Sequence, residues 1–233
     1  MSQSEFEKYL EELGIHLTNI QKEQLESYYE LLVEYNKVMN LTGITEHDEV
    51  YLKHFYDSLT LARVCDLTKE ISLCDIGTGA GFPGMVLKIV FPNLRVTLVD
   101  SLNKRIDFLK VVAEKLGIYN IEFISSRAEE YAIKNRECFD IVTCRAVASL
   151  PMLLEYSIPL VKVDGYFISM KGSKREEEES RRALDLLSCQ IEKVDSFSLP
   201  KEKSMRTLYI IKKLEKTSSK YPRKFADIKK KPL

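Results

Sequence analysis

A chain of 233 residues, 45% hydrophobic and 30% charged, can bury a full core and has the size of one domain with appendages. No apolar run approaches the ~20 residues that span a bilayer, the acidic opening Met1-Ser2-Gln3-Ser4-Glu5-Phe6-Glu7 is no signal peptide, and five cysteines without C-x-x-C spacing point to reduced thiols rather than a disulfide framework or a zinc site. Formal charge is zero, yet residues 1–50 carry three Lys against eleven Asp and Glu while residues 212–233 carry nine Lys and Arg against two acids, so the chain ends in a basic tail of the kind that grips phosphates.

From the amino terminus, Phe6, Leu10, Leu13 and Leu17 keep helical spacing, and Leu25, Tyr28, Leu32, Tyr35 and Met39 share one face of a following helix. Thr18-Asn19-Ile20-Gln21 reads as the capping box that starts it. Tyrosines at this spacing belong to a core rather than to a base-stacking platform. After Asn40-Leu41-Thr42-Gly43-Ile44, a helix runs through Lys53-His54-Phe55-Tyr56-Asp57-Ser58-Leu59 to about residue 64, with His54 and Asp57 on a shared face. They form either a histidine–carboxylate pair turned to a ligand or RNA, or a histidine held by its neighbour in an interdomain seam.

Strand and helix then alternate. Strands are expected at 71–76, 95–100, 121–124, 139–143 and 165–170, with helices at 84–91, 103–116 and from about 149 to 161 between them. Ser173 and Glu176 read as another capping box, launching a charged helix to about residue 187. Residues 191–199 and 206–213 supply two last strands that should pair antiparallel, since no helix separates them. The pattern predicts an α/β fold, a seven-stranded mostly parallel sheet with helices on both faces, whose ligands bind beyond the carboxyl ends of the strands. Residues 1–65 form a small N-terminal helical region, 66–215 the sheet domain and 216–233 the basic tail.

The stretch Leu73-Cys74-Asp75-Ile76-Gly77-Thr78-Gly79-Ala80-Gly81-Phe82-Pro83-Gly84 is a strand that runs through a glycine-rich turn into a helix. The subset G-x-G-x-x-G is by itself a weak dinucleotide signal. Two acids decide its reading. Asp75, two residues before the first glycine, burdens a pyrophosphate but favours a cationic ligand with an amino group. Asp100 ends the next strand, where a carboxylate can accept both hydroxyls of a ribose. This arrangement resembles the class I S-adenosylmethionine-dependent methyltransferases, which have a Rossmann-like fold.

Methyl transfer is an in-line displacement, and the acceptor decides whether a base is needed. After the fourth strand, Thr143-Cys144-Arg145-Ala146 stands where exocyclic-amine methylases carry Asp/Asn-Pro-Pro-Tyr/Phe. Cys144 in the right region leaves pyrimidine C5 methylation as a rival, though Thr143 replaces its usual proline. A ring nitrogen such as guanine N7 has an in-plane lone pair and needs no base.

The segments Asn40 to Ile44, Lys53 to Leu59, Asp75 to Gly84, Asp100-Ser101-Leu102-Asn103-Lys104-Arg105, Cys144-Arg145-Ala146 and Tyr221-Pro222-Arg223-Lys224 with the closing Lys229-Lys230-Lys231-Pro232-Leu233 together resemble the bacterial RsmG (GidB) family. The resemblance covers almost the whole chain. It implies S-adenosylmethionine-dependent methylation of guanine N7 in 16S ribosomal RNA of the small subunit, by a cytoplasmic, metal-independent enzyme taken as a monomer. It implies further that Gly77 and Phe82 line the cofactor pocket, with Ala128 and Glu129 near the adenine and Arg145 at the rim by the methyl donor. The residues themselves add Gly79 and Asp100. Arg145 could serve the cofactor carboxylate, an RNA phosphate or the guanine. The tail, where Tyr221 and Phe225 interleave with Arg223 and Lys224, is expected to contact RNA and to leave cofactor binding alone. Rival readings are a nucleotide-dependent oxidoreductase and a non-catalytic RNA-binding assembly protein.

Overall fold

In the computed structural model, which describes residues 1–145, 148–202 and 204–233, seven strands form one sheet. They are β1 (Ser72–Ile76), β2 (Arg95–Asp100), β3 (Ile121–Ser125), β4 (Phe139–Arg145), β5 (Val161–Lys171), β6 (Cys189–Ser198) and β7 (Met205–Lys213), in the spatial order β3-β2-β1-β4-β5-β7-β6. Neighbours from β3 to β5 are parallel. β7 runs antiparallel to both β5 and β6, as two strands without an intervening helix must.

Both faces of the central strands are buried, and their residues divide between two cores with period two. Leu73, Ile141, Ile168, Met170, Leu208 and Ile210 face one apolar cluster. Cys74, Ile76, Val142, Cys144, Phe167, Tyr209 and Ile211 face the other.

The first face is covered by α1 (Gln3–Glu11), α2 (Asn19–Met39), α5 (Gly84–Val90) and α6 (Asn103–Leu116). Phe6, Leu10, Leu25, Tyr28 and Leu32 are buried in the same cluster as Leu73 and Leu98, so the helices before residue 65 share the sheet's core. Thr18 and Gln21 form the expected capping box of α2. The first helix is shorter than its spacing suggests, because Gly14 turns the chain at φ +72° before Leu17. The segment before β1 is a composite helix: α3 (His47–Val50), a wide π-type turn (Tyr51–Tyr56), α4 (Asp57–Leu59) and a 3-10 turn (Thr60–Arg63).

The second face is covered by α7 (Ala128–Lys134), α8 (Leu150–Ser157), α9 (Glu177–Leu186) and α10 (Phe225–Lys230). One expectation fails here: Ser173 caps nothing among the described residues, and α9 begins only at Glu177. Glu176 is drawn elsewhere. Its carboxylate accepts the Leu150 N–H at 2.6 Å and meets Lys171 Nζ at 2.8 Å, so it caps the start of α8 across the fold. Among the described residues no helix is long and apolar enough to cross a membrane.

Candidate functional site

Beyond the carboxyl ends of β1 and β2 the glycine-rich turn is stitched to its neighbour strand. The amides of Gly77 and Thr78 both donate to the Val99 carbonyl, at 2.8 and 3.1 Å. Asp100 then holds the tip: its Oδ2 accepts from Gly79 N–H at 2.9 Å and from Arg105 Nη1 at 3.2 Å, and its Oδ1 accepts from Leu102 N–H at 3.0 Å. Gly77 and Gly79 sit at φ +69° and +60°, and a side chain at Gly77 would stand in open space. The glycines therefore shape a turn and leave room above it.

Asp75 lies beneath the turn and is fully buried. Its Oδ2 accepts from Thr78 Oγ1 at 2.6 Å and from Gly84 N–H at 2.8 Å. A Cβ at Gly84 would come within 2.9 Å of that same oxygen, so only glycine lets α5 start so close to β1. Asp75 Oδ1 has no partner among the described residues, and burial pushes the carboxyl up to about 6 against the pull of the Thr78 and Gly84 hydrogen bonds.

A hollow of about 310 Å³ opens beside the turn, lined among others by Gly77, Asp100, Ala128, Glu129, Tyr156 and Phe225. Two buried polar atoms of its lining residues, Tyr156 Oη and Arg105 Nε, lack a partner among the described residues. Orphaned polar groups of this kind suit a polar ligand.

A second hollow, of about 400 Å³, is lined by Lys53, His54, Asp57, Arg145, Lys171 and Arg206 together with apolar and glycine positions. Its centre is Arg145, at the end of β4. Nη1 donates to the Lys53 carbonyl at 2.8 Å and to Asp57 Oδ2 at 3.1 Å, and Nη2 lies 3.2 Å from His54 Nδ1. Nδ1 of His54 lies between this guanidinium and the Lys53 carbonyl, 3.1 Å away, and Nε2 faces Thr42 Oγ1 at 2.9 Å, so both ring nitrogens are engaged. Burial and the Arg145 charge hold the imidazole down at about 3, so it is neutral. Asp57 also accepts from Arg206 Nε at 3.0 Å. Phe82 stacks on the His54 ring with centroids 4.4 Å apart, and the Arg145 guanidinium lies 5.1 Å from its ring centroid. The far end of the glycine stretch thus reaches the second hollow.

Comparison with known proteins gives this geometry its family. The family described as rRNA small subunit methyltransferase G (GidB) matches residues 21–208. The chain belongs to the GidB family. A GidB-family relative, ribosomal RNA small subunit methyltransferase G of Staphylococcus carnosus, is 51% identical over 229 residues, 96% of this chain and 95% of its own length. The protein of that name from Bacillus cereus is 50% identical over 237 residues, 100% of this chain and 99% of its own. Solved structures agree on the fold alone. An Aquifex aeolicus SAM-dependent methyltransferase superposes with TM-score 0.55 at 18% identity, over 71% of this chain and 93% of that one. M. jannaschii TYW2 in complex with AdoMet gives 0.56 at 11%, over 68% and 75%. The class I methyltransferase fold and the family expected from the sequence are both met, and GidB membership sets aside the oxidoreductase and the non-catalytic assembly protein.

Within this GidB-family chain the predicted residues divide between the two hollows. Gly77, Asp100, Ala128 and Glu129 line the first, and Gly79 braces it through Asp100. Arg145 lines the second, with Phe82 against it. Asp100 is more committed than the ribose reading requires: three donors already occupy its carboxylate, leaving one lone pair, on Oδ1, without a donor among the described residues. His54 and Asp57 do not pair with each other; both contact Arg145 instead. Cys144 is fully buried and its thiol is pushed up to about 12 by burial, which removes it as a nucleophile. Ala146 lies outside the described residues. Sequence reasoning missed Tyr156 and Arg206, which carry no motif, gave Arg105 no role although it ends the segment that opens with Asp100, and assigned Phe225 to RNA.

Proposed function

We propose that this chain transfers a methyl group from S-adenosylmethionine, held in the first hollow, to N7 of a guanine of 16S ribosomal RNA received at the second. The observation that carries the reading is the commitment of the acid and the imidazole that line the second hollow. Asp57 is bound by two arginines, and both ring nitrogens of His54 are engaged, Nδ1 by Arg145 and the Lys53 carbonyl and Nε2 by Thr42. Neither group is placed to take a proton. An exocyclic amine must lose a proton on methylation, whereas guanine N7 attacks with an in-plane lone pair and has none to lose.

The residues of the first hollow suit the cofactor. Gly77 lets the backbone approach it closely, Asp100 Oδ1 keeps one lone pair for a ribose hydroxyl, and Glu129, buried at the start of α7, can accept from an amine. When bound, S-adenosylmethionine supplies a sulfonium methyl group: the N7 lone pair forms the new bond, the S–C bond breaks to leave a neutral thioether, and the positive charge passes to the purine. The protein's part is alignment and a fixed field. Arg145 is held by four contacts, and because Asp57 is shared between Arg145 and Arg206, the trio leaves a net positive charge on the acceptor side that suits a phosphate. Five free cysteines suit a reducing, cytoplasmic setting.

The test is incubation with methyl-labelled S-adenosylmethionine and small subunits lacking the modification, followed by nucleoside analysis. Labelled 7-methylguanosine is the expected product. Label on another nucleoside would overturn the position, and no label in RNA would overturn the activity.

A further inference from the structure

We infer that the C-terminal segment is a wall of the cofactor hollow, that Phe225 is the face on which the purine of S-adenosylmethionine stacks, and that docking of the tail is therefore linked to cofactor binding. This rests on the functional reading above, and it reverses the expectation that the tail serves RNA alone.

The tail is fastened to the body at several points. Arg136 on the body donates to the carbonyls of Thr217, Ser218 and Tyr221, the last at 2.7 Å. Glu155 on α8 is fully buried, and its carboxylate accepts Arg223 N–H at 2.9 Å, Nε at 2.8 Å and Nη2 at 2.7 Å. Undocking the tail would strand that buried charge, a strongly unfavourable event. Ile228 is fully buried in the apolar cluster that contains Leu150, Leu153 and Leu154. Arg223, read from the sequence as a phosphate contact, is thus spent on the fold.

This docking delivers Phe225 to the hollow. Its ring lines the cavity beside Ala128 and Glu129, and the Arg127 guanidinium sits 5.0 Å from its centroid. Phe225 keeps 37% of its surface exposed, although a phenylalanine so close to the core would normally be covered. A flat ring backed by a guanidinium at the mouth of a cavity whose orphaned atoms are polar is a platform for a purine. Lys224, Lys229, Lys230 and Lys231 flank or ride the same short helix. Cofactor that steadies Phe225 steadies them too, and linkage makes the effect reciprocal.

Calorimetry with S-adenosylmethionine on the full chain tests this. Phe225→Ala is expected to raise Kd about tenfold or more, the effect of removing one stacking platform. Phe225→Leu, which keeps apolar bulk without the ring face, should also weaken binding, and Phe225→Tyr should restore it. Amide hydrogen exchange at residues 225–231 should slow when the cofactor is added. Wild-type affinity in both F225A and F225L, or exchange indifferent to the cofactor, overturns the inference. Absence of any binding by the wild-type chain would instead overturn the functional reading beneath it.

Discussion

The Asp57 carboxylate meets the Arg145 guanidinium at 3.1 Å, which ties the helical segment before β1 to the carboxyl end of β4. Asp57 is 3% exposed and holds Arg206 with its other oxygen at 3.0 Å, so one acid is shared by two cations at the second hollow. Asp57→Ala would leave both partly buried arginines to find water. We expect a stability loss of about 2–3 kcal/mol, the scale of charged hydrogen bonds removed from one side. Methyl transfer to the small subunit should fall at least tenfold while the Kd for S-adenosylmethionine stays put. Urea denaturation and calorimetry measure the two, and full methylation by this variant would show that the seam does not position the acceptor.

Asp100 acts on the opposite hollow. Its carboxylate fixes the Gly79 amide and the start of α6 at once, so Asp100→Ala releases the tip of the turn as well as a ribose contact. Cofactor affinity should drop by about ten- to a hundredfold, from two or so hydrogen bonds at ~1 kcal/mol each. Circular dichroism separates this from unfolding, and an unchanged Kd in a folded variant would remove Asp100 from the site.

Two buried groups give opposing pH dependences. The Asp75 carboxyl is raised to about 6, so between pH ~4 and ~6 the folded state keeps a proton that the unfolded chain has released, and stability falls as pH rises. The penalty at neutral pH is about 3 kcal/mol. The His54 imidazole is lowered to about 3, so from there to pH ~6.5 the unfolded chain holds the extra proton and stability rises with pH. The two nearly cancel between pH 4 and 6. Asp75→Asn should therefore expose a rise with pH across that window, and His54→Gln a fall. Urea midpoints at several pH values decide it, and parallel curves for all three proteins would contradict the assignment.

The order of elements was legible because local chemistry agrees with the fold. Thr18 and Gln21 start α2 as a capping box whose bonds are all local, and the two last strands pair antiparallel because no helix lies between them. The glycine turn and Asp100 were legible because chain neighbours shape them. The second hollow was half legible: His54 and Asp57 announce a pair, but Arg145 and Arg206 reach Asp57 from 88 and 149 residues away along the chain. The place of Phe225 at the first hollow was hidden for the same reason. A lysine-rich context signals solvent, and only the pairing of Arg223 with Glu155, 68 residues distant, brings the ring to the cavity. Long-range ion pairs of buried acids leave no periodic trace in a sequence.

The misplaced cap at the other end of the sheet yields a sharp contrast. Ser173 and Glu176 have capping-box spacing, yet Glu176 is 3% exposed and turned away from its own helix. Its Oε2 satisfies the Leu150 amide, one of the unpaired donors that open α8, and its Oε1 neutralises Lys171, itself 9% exposed at the side chain. Glu176→Ala would strand both the buried N–H and the lysine, at a cost of about 2–4 kcal/mol. Glu176→Gln should cost less, since its amide oxygen still accepts from Leu150 while the ion pair is lost. Ser173→Ala should stay within about 0.5 kcal/mol of wild type, as an exposed residue outside the helix start. Urea denaturation of the three variants reads the order directly, and a Ser173→Ala loss as large as that of Glu176→Ala would restore the local capping box and dismiss the cross-fold one.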